Sequence, residues 1–597
     1  MRNIILLLID SMNNSHIKES PIELTPFLNK LKEKGVYCET MYSQAPYTEA
    51  ANMGIYCGVD VLDDGGYMFR YRDSKLTIFE AMKQKGYETY YNDFQPQCFP
   101  SSVRRGIDDI YYSVGYDLGA LWSYRLSHYA KLSEKGQLND EDFKTLRAIF
   151  DDNLREWIQF TDDVLNNDKS VNMIIGKAAG YNAAEVKAAV TKEYEQYVAD
   201  PDAYILDVLK KGTSHSLFSV PAYFQNNKIE NRAMMKQARK LFRPLCKRIR
   251  AMDFRHNIRN CKGIFKGPFR QLGKFLRKPS HENMKNVAKS ALLSINQLYD
   301  VDLYERIDKK RYDSFKNAPS LRTHVDHYIN WRKNRTSDKP HFGFMHVDDI
   351  HNPEVFFTYD TEDVSLLERE KKNAEEILDK IPRTYYGSLS HDLSLRYIDS
   401  VIEYFFDEME KNDFAKDTVV LVCADHGFSF SGNPLRDSAV VNLFLENYNI
   451  PCVISGPGVE HKKIEGLRES KDIPATLCYL ADGKVPDEFT GRSIFEDSQY
   501  DTLGIEYCGG GCPDLTRREI KMAAFDEKYF VGTLATLATP IDATNVTEVY
   551  DLEKDFGQKE NMVKKVDFAE IQYLIDKINA RKEKIQTSFN EGGELND

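Results

Sequence analysis

An uninterrupted apolar run near the amino terminus places the strongest constraint on the fold of this 597-residue chain. The run extends from Ile4 to Ile9 and ends directly at Asp10. A strand that is apolar on both faces must be covered on both faces, as in parallel sheets flanked by helices. The run is too short for a signal-peptide core or a membrane span. It therefore predicts a buried strand of a layered α/β domain.

Helix and strand signals alternate after this run. Thr25 to Gly35 starts with Thr and Pro and ends at Gly, as helices do, and a short strand follows from Val36. Leu76 to Asn92 repeats the order of helix, glycine stop and strand. The pattern resumes after residue 340, with a helix over Asp392 to Asn412 and the strand Asp417 to Asp425. This alternation predicts a doubly wound α/β core.

The middle of the chain follows a different pattern. Strand signals are scarce from Tyr112 to Pro340, where charged helical stretches cover Asn139 to Asn166 and Ala183 to Lys211. We expect this part to be a large, mainly helical insertion. The predicted division is a first part of the α/β core over 1–111, the insertion over 112–340, a second part of the core over 341–500, and a smaller C-terminal α+β subdomain over 501–597.

The net charge of −12 is unevenly distributed. Arg232 to Lys278, the basic segment, holds sixteen Lys or Arg and one acid, so the rest of the chain sums to −27. Apolar residues keep helical spacing between these cations, from Met234 to Met252 and from Phe265 to Leu276. This pattern favours peripheral contact with an anionic membrane. A groove for a polyanionic substrate and a solvated face are the alternatives. No nucleic-acid-binding module accompanies the charge, so we expect no nucleic-acid partner.

The cysteines indicate a reducing compartment. All ten are scattered, from Cys38 to Cys512, without regular spacing. Cys508 and Cys512 form one close pair in "CGGGC", which we interpret as a glycine-rich loop rather than a metal site. No segment of the sequence has the length and apolarity of a membrane helix. We expect a cytoplasmic protein, with membrane association through the basic segment.

Three polar residues lie at the carboxyl ends of two of the predicted strands: Asp10, Asp425 and His426. In open α/β sheets, sites form outside the carboxyl ends of the strands. Two carboxylates and an imidazole are suitable ligands for a divalent metal. Each residue taken alone is more typical of a turn or a helix cap, but their joint placement at equivalent strand ends favours the metal site.

Thr48 stands at the head of "TEAANMGIYCG". One interpretation is a helix N-cap. The other is a nucleophile, because coordination of its hydroxyl to a dication would favour the alkoxide. Two histidines, His346 and His351, follow another predicted strand in "HVDDIHNP". Either is a candidate to hold an anionic substrate oxygen or to protonate a leaving group, and core packing is the alternative for each. Arg436, shortly past the Asp–His pair, is a further candidate substrate contact.

The order of these segments resembles the sulfatase and alkaline phosphatase superfamily. The segments that carry the resemblance are "NIILLLIDS", "TPFLNKLKEKGVYCETMYSQAP", "TEAANMGIYCG", "HNP", "DTVVLVCADHG", "NIPCVISGPGV", "DIPATLCYLADGKVPDEFTGRSIF" and "VYDLEKDFGQKEN". They lie within residues 1 to 110 and 340 to 565. The resemblance implies an alkaline-phosphatase-like α/β/α sandwich that carries the helical insertion and the C-terminal subdomain.

The nucleophile position departs from the sulfatase pattern. Sulfatases carry a modified cysteine or serine of a Cys-x-Pro-x-Arg motif where this chain has Thr48, and the Arg of that motif falls on Asn52. Threonine cannot be converted to formylglycine. The family's second aspartate after the first strand is Ser11. The pattern is more similar to that of bacterial phosphoglycerol and phosphoethanolamine transferases, which use a metal-bound threonine and an Asp–His pair but also carry N-terminal membrane helices.

This similarity implies one divalent cation, Zn²⁺ or Mn²⁺, with Ca²⁺ or Mg²⁺ as alternatives. The implied roles are metal ligand for Asp10, Thr48, Asp425 and His426, catalytic residue for Thr48 and His351, and substrate contact for His346, Asn52 and Arg436.

We therefore expect transfer of a substituted phosphoryl group through a phosphorylated Thr48. The expected donor is a phosphodiester or a phospholipid-derived group, and the expected acceptor is a cell-surface glycan or its lipid-linked precursor. A phosphodiesterase, a phosphonate hydrolase or an atypical sulfatase of the same superfamily is the first alternative. A catalytically inactive protein that binds a glycan or a partner is the second.

Overall fold

The computed structural model describes most of the chain, with gaps. The described residues are 2–64, 66, 74–93, 105–112, 126–166, 171–173, 183–220, 244, 248, 251, 266–299, 321–347, 350, 364–380, 389–428, 443–496, 499–507 and 520–592.

A mixed sheet forms the core. Its strands are β1 (Asn3–Ile9), β2 (Val36–Tyr42), β3 (Glu88–Asp93), β4 (Asp109–Tyr112), β5 (Val171–Met173), β6 (His341–Val347), β7 (Thr418–Ala424), β8 (Asn449–Ile450), β9 (Cys452–Ser455) and β10 (Lys462–Glu469). Their order is β10-β2-β9-β7-β1-β6-β3-β4-β5, with β8 paired to β2. Strand β1 is parallel to both of its neighbours, and all of its residues are buried. This confirms the α/β core, although β9 runs antiparallel to β2 and β7.

Helices surround this sheet. They are α1 (Asn14–Glu19), α2 (Pro26–Lys34), α3 (Thr48–Cys57), α4 (Ile78–Gln84), α5 (Ser127–Glu134), α6 (Asp140–Leu165), α7 (Ala183–Ala199), α8 (Pro201–Lys211), α9 (Lys266–Arg277), α10 (His281–Tyr299), α11 (Leu321–Asn334), α12 (Val364–Lys380), α13 (Leu389–Lys411), α14 (Asp472–Asp482) and α15 (Phe568–Gly592). Among the described residues, every helix is too short or too polar to span a bilayer.

The side chains of β6 show how the helices sandwich the sheet. Phe342 and Phe344 contact Phe79 of α4. His341 instead shares a hydrogen bond with Tyr328 of α11, with 2.7 Å between His341 Nε2 and the tyrosine hydroxyl. Successive side chains of a strand point to opposite faces. Helices α4 and α11 therefore cover opposite faces of the sheet, and α3 and α14 pack with α4 while α13 packs with α11.

The predicted insertion, 112–340, contains both helices and a strand. Helix α6 matches the predicted helical stretch to within one residue at each end. The stretch Ala183 to Lys211 instead forms two helices, because Asp200 caps the second one by accepting a hydrogen bond from the amide of Ala203. Pro201 occupies the first position of α8, where its missing N–H costs nothing. Strand β5 extends the edge of the main sheet and was not predicted.

A second sheet lies in the C-terminal part. It is antiparallel, in the order β11 (Leu503–Tyr507), β12 (Ile520–Phe525), β13 (Tyr529–Ala535) and β14 (Val546–Asp551), and α15 packs on β12 and β13. An ion pair connects this part to the core, because Arg581 of α15 contacts Asp63 at 2.5 Å. Within the core, Lys471, before α14, contacts Asp60 at 2.6 Å and Glu469 at 2.8 Å. Asp60 and Asp63 follow α3, so these pairs fix the end of that helix.

We predict that Lys471→Met destabilises the fold strongly. Burial alone would raise the pKa of Asp60, but Lys471 and Arg581 hold it below its usual range. Removing the lysine leaves the buried Glu469 carboxylate without its cation and Asp60 with only the more distant Arg581 and Lys584. Breaking a buried pair in this way costs about 3–5 kcal/mol of unfolding free energy. Urea unfolding measures the loss. The control is Lys565→Met, whose pair with Glu560 is exposed and worth about 1 kcal/mol or less. Equal effects of the two substitutions would contradict the prediction.

We also predict an acid-sensitive core contact at His324 of α11. Its Nδ1 hydrogen-bonds Asn92 at 2.5 Å, and burial lowers the pKa of His324 to about 3. The unfolded chain binds a proton near pH 6.5, so stability falls as pH falls from about 6.5 towards 3. The loss is about 1.4 kcal/mol per pH unit in that range.

The measurement for His324 is urea unfolding at several pH values. His324→Gln removes the titrating group while keeping a polar side chain. Between pH 6.5 and 5, the variant should therefore lose about 2 kcal/mol less unfolding free energy than the wild type. Parallel pH profiles of the two proteins would show that His324 does not carry the effect.

Candidate active site

The register of the parallel strands brings two carboxylates together. Ile9 of β1 pairs with Ala424 of β7, so Asp10 and Asp425 both lie one residue past adjacent strand ends. Both side chains are fully buried. Ser11 joins them: its backbone N–H donates to Asp425 at 3.1 Å, and its hydroxyl donates to Asp10 at 2.6 Å. The expectation that sites form at the carboxyl ends of parallel strands, which we call the strand-end rule, therefore describes the observed arrangement.

Thr48 and His426 complete a compact group with these carboxylates. Thr48 Oγ1 donates to Asp10 Oδ2 at 3.2 Å and lies 3.4 Å from His426 Nε2. His426 Nε2 lies 3.4 Å from Asp425 Oδ2 and 3.6 Å from Asp10 Oδ1. Four ligands around a tetrahedral ion at about 2.0–2.1 Å are spaced about 3.3–3.4 Å apart. The four side chains therefore fit a divalent metal ion, and Asp10, Asp425 and His426 form one of the groups of donors suited to it.

Thr48 is the first residue of α3 rather than its cap. The N-cap position belongs to Tyr47, whose side chain makes no capping bond, and the Thr48 hydroxyl turns towards Asp10. Helix N-termini present free N–H groups and favour anions. Gly58 ends the helix with φ of 64°, and a Cβ there would meet the Phe489 ring at 2.6 Å. Helix α3 thus holds a hydroxyl, and an environment suited to an anion, at the edge of the sheet.

Asn52 lies one helical turn after Thr48 and so on the same side of α3. It is fully buried, and neither its Oδ1 nor its Nδ2 has a hydrogen-bond partner within the part of the chain that the structure describes. Buried amides almost always have partners, so an unpaired one requires an explanation. A bound group beside Thr48 would supply the missing partner, which agrees with the predicted substrate contact without testing it.

His346 occupies a position between two carboxylates. Its Nδ1 lies 3.2 Å from Asp93 Oδ1 and its Nε2 lies 3.8 Å from Asp425 Oδ2, and all three residues are fully buried. Burial lowers the pKa of His346, but the charges of Asp93 and Asp425 outweigh it and raise the pKa to about 10. Partners of this kind orient metal ligands. The predicted substrate contact of His346 stays a prediction, and the observed contact is with Asp425.

Sequence reasoning missed Asp93 and the role of Ser11. Asp93 ends β3, whose register with β6 pairs it with His346. The strand-end rule applied to Asp10 and Asp425 would have found it. Ser11 has φ of 63°, an uncommon conformation for a residue other than glycine. No sequence signal marks a serine for that conformation.

Further buried groups support the loop after β1. His16 of α1 hydrogen-bonds Asp392 of α13 at 2.5 Å, and the ring of His391 meets the ring of His16 edge-on at 5.3 Å. His391 also lies close to the backbone of Ser11. These contacts cross between α1 and α13, so no local pattern in the sequence reveals them.

Two of the predicted site residues, His351 and Arg436, lie outside the described residues, as do Cys508 and Cys512. Their predicted roles stay predictions.

Comparison with known proteins places these segments in a family. A family model described as "Sulfatase" matches residues 2–125 and 271–483, which is more than half of the chain. A Delta 4,5-hexuronate-2-O-sulfatase from Bacteroides thetaiotaomicron is 24% identical over 198 residues, covering 32% of this chain and 39% of that protein. An ulvan-active sulfatase from Formosa agariphila is 22% identical over 204 residues, covering 32% of this chain and 38% of that protein. The chain thus spans about two fifths of the length of these relatives.

Among solved structures, the chain is similar to a protein in the alkaline phosphatase superfamily from Vibrio parahaemolyticus. It is 12% identical with a TM-score of 0.46, covering 99% of this chain and 88% of that chain.

These findings correct the expected function. The sequence analysis predicted transfer of a substituted phosphoryl group, because Thr48 resembles the nucleophile of phosphoglycerol and phosphoethanolamine transferases. The two curated relatives described above are both sulfatases, so the prediction of a phosphotransferase was wrong. The family match includes the segments that carry Asp10, Thr48, Asp425 and His426. From the match over more than half of its length, this chain belongs to the sulfatase family.

Proposed function

We propose that the protein hydrolyses a sulfate ester of a glycan, with Thr48 as the nucleophile. The observation that carries the proposal is the Thr48 hydroxyl at 3.2 Å from Asp10 and 3.4 Å from His426, at the N-terminus of α3. The choice of sulfate over phosphate and of a glycan as substrate is supported by the names of the two curated relatives.

The donor set favours Zn²⁺ or Mn²⁺ as the cofactor. An imidazole among the ligands suits Zn²⁺, whereas Ca²⁺ and Mg²⁺ prefer oxygen ligands in larger number. A dication bound by Asp10, Asp425, His426 and Thr48 would acidify the Thr48 hydroxyl and offset negative charge on the sulfate oxygens.

The reaction proceeds in two displacements at sulfur. In the first, Thr48 Oγ1 attacks the sulfur, the bond from sulfur to the ester oxygen breaks, and the alcohol leaves with a proton. Asp10 already accepts the hydrogen bond of the Thr48 hydroxyl, so it is placed to take that proton. His351 is the candidate proton donor to the alcohol, from its position in the sequence.

In the second displacement, a water molecule attacks the sulfur of the sulfated Thr48. The bond from sulfur to Thr48 Oγ1 breaks, which releases hydrogen sulfate and restores the threonine. The unpaired Nδ2 of Asn52 and the backbone N–H groups at the start of α3 are placed to donate to the sulfate oxygens in both steps. The sum of the two steps converts a sulfate ester and water into an alcohol and hydrogen sulfate.

A second candidate keeps the same site and hydrolyses a phosphodiester or a phosphonate ester. The observation that favours it is the residue type of Thr48, which attacks as an unmodified hydroxyl. A tetrahedral phosphorus centre with anionic oxygens would make the same contacts as sulfate.

We predict that Thr48→Ala lowers hydrolysis of a sulfated uronic acid oligosaccharide by about 10³-fold or more, because it removes the nucleophile. Thr48→Ser should retain part of the activity, since it keeps a hydroxyl. Chromatography of the products, with nitrophenyl sulfate and bis-nitrophenyl phosphate assayed in parallel, gives the rates. Thr536→Ala, an exposed threonine in the C-terminal part, is the matched control and should leave the rates unchanged.

The other outcomes of these assays would favour alternative functions or mechanisms. Faster hydrolysis of the phosphodiester, still dependent on Thr48, would favour the second candidate. Full activity of Thr48→Ala would remove Thr48 from the mechanism. Metal-loaded protein that hydrolyses neither ester class would leave a glycan- or partner-binding member of the family.

We predict that removing the metal lowers the melting temperature and that adding Zn²⁺ or Mn²⁺ restores it. Ligand at about 1,000 times its dissociation constant stabilises the folded state by about 4 kcal/mol. Elemental analysis and thermal unfolding of the chelated and reloaded protein give the metal content and the shift. Asp425→Asn should abolish the shift, whereas Asp407→Asn, on the exposed side of α13, should preserve it. A wild-type protein that retains no metal and shows no shift in melting temperature would contradict the assignment of a metal site.

A further inference from the structure

Helix α9 presents apolar side chains to solvent. The exposed fractions are 70% for Phe269, 38% for Leu272 and 69% for Leu276. These three positions are spaced by three and four residues, so they form one stripe along the helix. Among the large apolar side chains of the described residues, Phe269 and Leu276 are the most exposed. No residue of α9 is buried.

Positive charge adjoins this stripe. Lys266, Arg270, Lys274 and Arg277 lie on the neighbouring side of α9, which contains no acidic residue. Helix α10 packs beside α9 and adds Lys285, Lys289 and the half-exposed Met284. Residues 266–299, which we call the basic hairpin, contain seven Lys or Arg and a single acidic residue, Glu282. The hairpin therefore carries +6, and the rest of the chain, from the total of −12, carries −18.

We propose that the basic hairpin docks the protein onto an anionic lipid membrane, with the Phe269–Leu276 stripe of α9 inserted at the level of the headgroups. A basic helix with an apolar stripe lies in the plane of the interface, where lipid tails cover the apolar side chains and anionic headgroups pair with the cations. The inference is independent of the chemistry at Thr48.

Charge and apolarity together select this partner over the others. A sulfated polysaccharide would pair with the cations but leave Phe269 and Leu276 in water. A second copy of the chain would cover the apolar stripe, but it would bring together two hairpins that each carry a charge of +6 and repel each other. An anionic membrane satisfies both features. Residues 232–265, directly before the hairpin, add a charge of +10, and the rest of the chain, at −28, is repelled by the same surface.

Co-sedimentation of the full chain with lipid vesicles tests the proposal. Vesicles of phosphatidylcholine are compared with vesicles that also contain phosphatidylglycerol, at low and high salt. We expect binding only when phosphatidylglycerol is present, and weaker binding at high salt. Phe269→Ser with Leu276→Ser, and separately Arg270→Glu with Lys274→Glu, should each weaken the partition constant by about tenfold or more.

Matched controls keep the result specific. Val198→Ser removes a half-exposed apolar side chain from α7, and Lys34→Glu with Lys210→Glu reverses exposed charges on α2 and α8. We expect these variants to bind vesicles as the wild type does. Hydrolysis of a soluble ester should be the same in the hairpin variants and the wild type, which separates a docking defect from a defect in folding or in the active site.

Three results would overturn the proposal. The first is that wild-type protein fails to bind vesicles that contain phosphatidylglycerol. The second is that binding survives Phe269→Ser with Leu276→Ser and is released by soluble heparin, which would indicate a groove for a polyanion. The third is a wild-type dimer without vesicle binding that these two substitutions convert to a monomer, which would assign the stripe to contact between copies.

Discussion

The parallel pairing of β1 with its two neighbours is the constraint on which the site depends. It fixes Asp10 and Asp425 side by side at one edge of the sheet, out of contact with water. Buried carboxylates repel each other and lose their hydration, so they persist only where donors or cations compensate them. Ser11, His426 and His346 supply that compensation from three different segments. Interactions with the two buried carboxylates therefore hold the loops around the site in place.

The sequence predicted the parts of this arrangement that follow from strand ends. The apolar run before Asp10 and the strand before Asp425 each identify a carboxylate, because the carboxyl ends of parallel strands share an edge. Asp93 was missed although it obeys the same rule, since β3 has polar residues on both sides of two tyrosines (ETYYND) and looks less like a buried strand. The bond between His16 and Asp392 depends on the packing of α1 against α13, which no local pattern records.

The expected reaction was wrong for a chemical reason. A hydroxyl beside a dication attacks sulfur and phosphorus in the same geometry, so Thr48 and its neighbours do not distinguish between the two. The sequence analysis gave the residue type at position 48 more weight than the order of the surrounding segments. The comparisons, which match those segments across more than half of the chain, favour sulfate.

Ser11 also sets the net charge that an incoming substrate meets. It stands where the family resemblance expects a second aspartate, and it keeps a left-handed conformation with φ of 63° while its hydroxyl bonds Asp10. A dication held by Asp10 and Asp425 would offset the charges of both carboxylates. A third carboxylate at position 11 would add a negative charge that the dication does not offset. The serine therefore removes a Coulombic barrier to an anionic ester, at the expense of strain in a single backbone dihedral.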